Sequence, residues 1–148
     1  MITANLEILN LHDDGFHLLV EVVVFGQQFK AVVDTGASRT VLDKNTVELY
    51  AKKETLLVSD KLSAGLGTNS MESHTLIIPE IQIGDLKIAD FETAILDLSM
   101  INTAYQSLEV GPIIGVIGGD ILLKNQAVIS YPDRKIFFKT PEDDARHF

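Results

Sequence analysis

The composition of this 148-residue chain narrows the classes of protein to which it can belong. It contains no cysteine, which excludes disulfides, thiol catalysis and thiolate metal sites. The formal net charge of −9 disfavours nucleic acid and anionic membrane surfaces as partners, and two copies repel each other at neutral pH. No apolar run approaches the roughly 18 residues of a membrane-spanning helix, and residues 1–5 lack the basic start of a secretory signal, so we expect a cytoplasmic protein.

The length predicts a single domain over residues 1–148, with a flexible polar tail at 141–148. In its first quarter, apolar residues alternate with polar ones from Ile2 to Ile8, as in a half-buried strand. A strongly β-forming run, 16–25, ends at Gly26, and a third strand follows at 29–33. These segments predict an antiparallel meander.

The middle of the chain predicts one helix and further strands. Asp43 is a typical N-cap for a helix over 43–53, and a strand follows at 55–59. Residues 61–70 are rich in small residues and lie between strand segments, so we interpret them as the tip of a long hairpin. The hairpin's second strand is predicted at 73–83, where Pro79 indicates an edge or a bulge, and the next strand at 86–98.

The last third predicts two short helices and a hairpin. The first helix, 99–108, places Met100, Ile101, Tyr105 and Leu108 on one side. The second, 120–125, precedes a hairpin formed by 127–131 and 135–139. Periodicity alone therefore supports a mostly β domain with a few short helices.

One tripeptide combines acid chemistry with a tight turn. Asp34, Thr35 and Gly36 directly follow the apolar strand 29–33. Glycine permits the turn, and a lone carboxylate is thereby placed where a buried strand ends. This pattern resembles the active-site loop of the aspartic proteases. By itself it fits equally well an ordinary turn with a solvated carboxylate.

A second segment, about 80 residues downstream, strengthens the resemblance. Val116, Ile117 and Gly118 are similar to the apolar-apolar-glycine strand that passes behind the catalytic loop in that family. The match extends over about 16–139 and is to the single-domain, retropepsin-like branch, since the chain holds one Asp-Thr-Gly. The resemblance implies a retropepsin-like closed β-barrel (the acid-protease fold), aspartic endopeptidase activity on peptides or proteins, and a homodimer.

The resemblance also assigns roles to residues. Asp34 is the expected catalytic acid, and Thr35, Gly36 and Ala37 are expected to support its loop. Two carboxylates must share the attacking water, so the second is expected to be Asp34 of another copy. Asp120 we instead interpret as a helix N-cap. The expected substrate-binding residues are Ser38, Arg39, Val41, Gly65, Leu66, Gly67, Val116, Ile117 and Gly118, with Gly65–Gly67 as the tip of a flap. No cofactor is expected, and the histidines lack the spacing of metal ligands.

The sequence departs from the retroviral members at one pair of positions. There an aspartate after Asp-Thr-Gly-Ala pairs with an arginine after the apolar-apolar-glycine; here the two positions hold Ser38 and Gly119. Other contacts must therefore hold that end of the site. Two alternatives to a general endopeptidase remain, a catalytically silent peptide-binding or assembly protein and an enzyme restricted to one client.

Overall fold

The computed structural model describes residues 1–11, 15–51, 56–58, 74–106, 108, 110 and 112–139, with the backbone alone at 56–58. The described part is mostly β. Its strands are β1 (Ile2–Asn10), β2 (Phe16–Val24), β3 (Gln27–Val33), β4 (Val41–Asp43), β5 (Leu56–Val58), β6 (His74–Ile83), β7 (Leu86–Leu96), β8 (Ile113–Ile117), β9 (Val128–Ser130) and β10 (Lys135–Phe138). Its helices are α1 (Lys44–Tyr50), α2 (Ser99–Gln106) and α3 (Gly119–Lys124). The predicted hairpin tip 61–70 and tail 141–148 lie outside the described residues.

Six of the strands close into a barrel. They follow the order β6-β7-β4-β8-β3-β2, and β2 pairs with β6 again through Val22–Val24 and 81–83. The predicted meander β1-β2-β3 is present, and β1 leads outward to β10 and then to β9 at the end of the strand order. Closure leaves fewer exposed strand edges, which suits a strand-rich chain in water.

Apolar side chains fill the barrel because they alternate along its strands. Val20, Val22 and Val24 of β2 are all buried, whereas the intervening Glu21 is exposed. The cluster continues across the barrel with Leu42, Leu76, Ile78, Ile81, Ile83, Ile95, Ile114, Ile117, Ile121, Ile136 and Phe138. Burial of apolar surface, worth roughly 25 cal/mol per Å², is thus spread over one cluster that joins the barrel strands to β1 and β10.

Two predicted details meet different outcomes. Pro79 lies between the part of β6 that pairs with β5 and the part that pairs with β2, so the predicted edge position is present there. It is opposite Asp90 of β7, whose φ is 50°.

The prediction that Met100 shares a side with Tyr105 is wrong, since Met100 is 87% exposed and Tyr105 is 6% exposed. Five residues along an α-helix turn through about 140°, so these two side chains diverge.

Strand β8 lies between two strands that are consecutive in the chain. It pairs in parallel with β3 and antiparallel with β4, so residues 34–40 cross the end of β8 to join its two neighbours. The crossing brings the predicted acid loop and the apolar-apolar-glycine segment together.

Candidate active site

Asp34 lies at the open end of the barrel in a tightly bonded turn. Its amide donates to the carbonyl of Ile117 over 3.0 Å, which extends the β3–β8 pairing by one position. The amide of Gly36 donates to Asp34 Oδ1 over 2.9 Å, and that of Ala37 donates to the Asp34 carbonyl over 3.1 Å. The carboxylate is exposed, yet its position is fixed by the backbone around it.

The crossing loop lies directly against Gly118 and Gly119, at the junction of β8 and α3. The amide of Gly119 donates to the carbonyl of Ala37 over 2.7 Å. A Cβ built on Gly118 would lie 2.6 Å from the carbonyl carbon and oxygen of Arg39, which is far inside van der Waals contact. Gly118 is therefore required by the close approach of the two backbones.

Thr40 and Asp120 form the second attachment of the loop. The Thr40 side chain is fully buried, and its hydroxyl donates to Asp120 Oδ1 over 2.7 Å and accepts from the Gly118 amide over 3.0 Å. The Thr40 amide also donates to Asp120 Oδ1, over 2.9 Å. These contacts attach the end of the loop to the first turn of α3.

Asp120 does not have the N-cap role expected from the sequence. Helix α3 begins at Gly119, with Gly118 as its N-cap residue, so Asp120 lies inside the first turn. There its Oδ1 accepts from Thr40 and also from the amide of Ile121, over 2.8 Å. An acid in the first turn complements the helix dipole, and this one connects α3 to the crossing loop.

A cavity of about 560 Å³ is lined by Asp34 and by side chains of α2. We call it the α2 cavity; it is lined by Leu11, His17, Val32, Asp34, Ile101, Ala104, Tyr105, Leu108 and Val116. Its volume falls in the range of small-molecule and side-chain binding sites, and its walls are mainly apolar.

A second cavity of about 450 Å³ is also lined by Asp34 and extends to the last hairpin. We call it the β9 cavity; its lining is Phe16, His17, Leu18, Val32, Val33, Asp34, Thr35, Ile129 and Tyr131. Asp34 is the one acid that lines either cavity, as far as the described residues extend.

The other residues that the sequence predicts to bind substrate lie in different parts of the structure. Val116 lines the α2 cavity and pairs with Val41 of β4. Ile117 is 1% exposed and belongs to the core, because the alternation along β8 turns it inward where Val116 turns outward. Ser38 and Arg39 are exposed on the loop, outside both cavities. The flap residues Gly65–Gly67 lie outside the described residues.

Sequence reasoning missed His17 and Tyr105, whose side chains contact each other through His17 Nδ1 and the Tyr105 hydroxyl. Burial, and then the negative charge of Asp34, raise the pKa of Tyr105 above its ordinary value of 10.0. A signal for His17 was present in the hairpin register. Val24 pairs with Gln27 and Leu18 with Val33, so continuing the count by one position sets His17 opposite Asp34.

The fold of the chain is similar to that of solved retropepsin-like proteins. The retroviral protease-like domain of Ddi1 from Leishmania major has a TM-score of 0.61 at 18% identity, covering 86% of this chain and 97% of that one. A retropepsin-like aspartic protease from Rickettsia conorii gives 0.55 at 16% identity, covering 92% and 90%. The EIAV protease, solved with the inhibitor HBY-793, gives 0.53 at 18% identity, covering 76% and 90%. These likenesses establish a retropepsin-like fold.

Among the described residues, no helix combines the length and apolar character needed to cross a membrane.

Comparison of the sequence gives the family. No curated protein matches the chain. The family model described as Aspartyl protease matches residues 20–121, which include both the Asp34 loop and strand β8. On this match the chain belongs to the aspartyl protease family.

Proposed function

We propose that this protein is an aspartic endopeptidase that is active as a homodimer with paired Asp34 side chains. The observation that carries the proposal is a fixed, exposed carboxylate at the junction of two cavities, on a loop held by its own amides and by β8. In such a site one ionised carboxylate takes a proton from the attacking water, and the other, protonated, donates to the peptide carbonyl. Two adjacent carboxyls share one proton because ionising both is costly.

The need for a second copy follows from the acids present. Asp34 is the one acid lining either cavity within the described residues, and the Asp120 carboxylate is engaged by Thr40 and α3. One chain thus supplies half of a dyad. A twofold axis beside Asp34 is the simplest arrangement that supplies the other half.

The β9 cavity favours a position for the partner. It connects Asp34 and Thr35 to Ile129 and Tyr131, and β9 ends the strand order with β10 on one side. Tyr131 is 59% exposed, and Phe16, at the same cavity, is 66% exposed. Within the described residues β9 has a strand partner on one side alone, and such an edge beside exposed apolar side chains suits association with an identical chain.

Cleavage of a mixed peptide library from mild acid to neutral pH, by wild type and Asp34→Asn, tests the proposal. Because the variant lacks the ionisable acid, we expect cleavage to fall about a thousandfold or more. Sedimentation in parallel is expected to show a dimer for both proteins.

Three outcomes contradict this function. Cleavage that survives in Asp34→Asn assigns the chemistry to another group or to a contaminant. A wild-type dimer that cleaves no peptide indicates a silent binding protein or an enzyme restricted to one client. A wild-type monomer that cleaves peptides excludes the paired-Asp34 mechanism.

A further inference from the structure

The α2 cavity carries a polar pair that the proposed chemistry does not use. His17 is at the start of β2, exposed, and lines both cavities together with Asp34. The β2–β3 pairing ends at Leu18 and Val33, so His17 and Asp34 are the next residues beyond it on the two chains. A peptide bound over Asp34 therefore passes beside the imidazole.

Tyr105 fixes the orientation and the tautomer of that imidazole. Its hydroxyl contacts His17 Nδ1, and the two rings lie with centroids 5.9 Å apart and planes inclined at 55°. A phenol is a stronger acid than a neutral imidazole, so the hydroxyl donates to Nδ1 and the ring carries its proton on Nε2. With its proton on Nε2, His17 presents a hydrogen-bond donor.

Tyr105 is itself held firmly, so the pair is pre-organised. It is 6% exposed and packs with Leu19 and Ile113 in a small core of its own. Asn102 of the same helix accepts from the Ile113 amide over 2.8 Å, which attaches α2 to the start of β8. A donor held in place before binding loses little entropy when it forms a hydrogen bond.

The remaining walls decide which acceptor suits this donor. Val32, Leu108 and Val116 are apolar, and the volume of about 560 Å³ accommodates a large side chain. The acid in the wall is Asp34, so a carboxylate bound there is repelled by it. A large, mainly apolar side chain with a neutral acceptor at its tip meets all of these conditions, and the tyrosine side chain has this form.

We propose that His17, positioned by Tyr105, is a specificity-determining residue of the α2 cavity and selects substrates with tyrosine beside the cleaved bond. This proposal rests on the endopeptidase function above. The hydroxyl of the substrate tyrosine accepts from His17 Nε2–H, while its ring packs against the apolar walls.

The test starts from one peptide that wild type cleaves. The residues on the two sides of its scissile bond are replaced in turn by tyrosine, 4-methoxyphenylalanine and phenylalanine, and kcat/KM is measured for each. At one of the two positions we expect tyrosine to exceed phenylalanine by about threefold to tenfold, the size of one net hydrogen bond. The 4-methoxyphenylalanine side chain accepts a hydrogen bond but cannot donate one, so kcat/KM for that peptide is expected to be close to the value for the tyrosine peptide.

Variants separate recognition from a structural role. In His17→Leu and Tyr105→Phe the tyrosine-to-phenylalanine ratio is expected to fall to about one, and His17→Gln, which keeps an N–H donor, is expected to restore part of it. A purely structural role lowers kcat/KM for both peptides alike and leaves the ratio unchanged. Tyr50→Phe is the matched control, because the Tyr50 ring lies against Phe25 and Phe29 rather than in either cavity.

The outcomes distinguish this inference from the function on which it rests. Equal cleavage of tyrosine and phenylalanine peptides by wild type overturns the role of His17 and leaves the endopeptidase function standing. If both His17→Leu and Tyr105→Phe still cleave the tyrosine peptide faster than the phenylalanine peptide, the role of His17 is also overturned and the endopeptidase function still stands. Failure of wild type to cleave any library peptide overturns both.

Discussion

The hydroxyl of Thr40 donates a hydrogen bond of 2.7 Å to Oδ1 of Asp120, across 80 residues of sequence. Through this contact the end of the Asp34 loop is joined to the first turn of α3. The same hydroxyl accepts from the amide of Gly118, and the Thr40 carbonyl accepts from the hydroxyl of Thr93 over 3.1 Å. One buried threonine thus connects the crossing loop with β7, β8 and α3.

Replacement of Thr40 by valine is expected to destabilise the fold by about 1–3 kcal/mol, because it leaves the buried Gly118 amide without its acceptor and removes one of the donors to Asp120 Oδ1. Chemical denaturation measures the loss. Thr103→Val is the control, since Thr103 is exposed and donates only to the carbonyl of Ser99 in its own helix. Equal stability of the two variants would contradict the connecting role of Thr40.

Alanine at Gly118 and at Gly119 should have very different effects. The added Cβ would lie 2.6 Å from the Arg39 backbone in the first case and 3.4 Å from the nearest atom, the Ala37 carbonyl oxygen, in the second. We expect Gly118→Ala to cost about 2 kcal/mol or more and to displace the Asp34 loop, and Gly119→Ala to cost less than about 1 kcal/mol. Thermal unfolding together with peptide cleavage checks both. A tolerated Gly118→Ala would show that the loop does not lie against β8 as described.

The proposed partner surface predicts an effect of charge at Tyr131. Because each copy already carries a net charge of −9, Tyr131→Asp is expected to weaken the dimer about tenfold or more and to reduce cleavage with it. Sedimentation over a range of protein and salt concentrations measures the change, and wild-type association is expected to strengthen with added salt.

Leu49→Asp makes the same change in charge on α1, at a side chain that is 78% exposed and outside the β9 cavity. It is expected to leave association close to that of wild type. If both variants dissociate alike, the effect belongs to net charge rather than to the β9 cavity.

Ala37 provides a test of how the loop sets the pH dependence. A serine hydroxyl at this position could donate to the ionised acid of the same turn, and alanine cannot do so. We therefore expect Ala37→Ser to move the cleavage optimum of the proposed enzyme towards acid, by about one pH unit or less. The pH–rate profiles of wild type and variant give the shift. A wild-type profile that peaks only in strong acid, or a shift of the variant in the opposite direction, would count against this role.

Asp97 predicts a pH dependence for the start of α2. Hydrogen bonds from the Ser99 amide and side chain, and from Asn45, hold the pKa of Asp97 below its ordinary value of 3.8. The folded pKa lies below the unfolded one, so the stabilisation is complete above about pH 3.8 and is lost as the pH falls through the folded pKa. NMR chemical shifts of the Asp97 carboxyl and of the Ser99 amide, followed over a pH series, give the midpoint of the Asp97 titration. Asp97→Asn, which keeps an acceptor oxygen, is expected to remove this titration, and a wild-type midpoint at or above 3.8 would refute the prediction.

Much of the fold could be predicted from local patterns. Alternation along the chain identified β1, β2 and β3, and the prediction of Asp43 as an N-cap is confirmed, since its carboxylate accepts from the Thr46 amide and hydroxyl. The helix near Met100 was also predicted, but its buried side was assigned incorrectly. A short helix has few apolar positions, so a single misplaced residue changes the inferred face.

The sequence by itself determined most of the elements, the acid at the end of β3 and the family motifs, because each depends on neighbouring residues. It did not predict the short strand β4, and it indicated β8 only through the resemblance. Only the tertiary structure decided which distant groups meet. The structure replaced the N-cap role of Asp120 with a contact to Thr40, placed Gly118 beneath the Arg39 backbone, and joined His17 to Tyr105. Such contacts depend on how β8 inserts between β3 and β4, a long-range pairing whose register no local periodicity encodes.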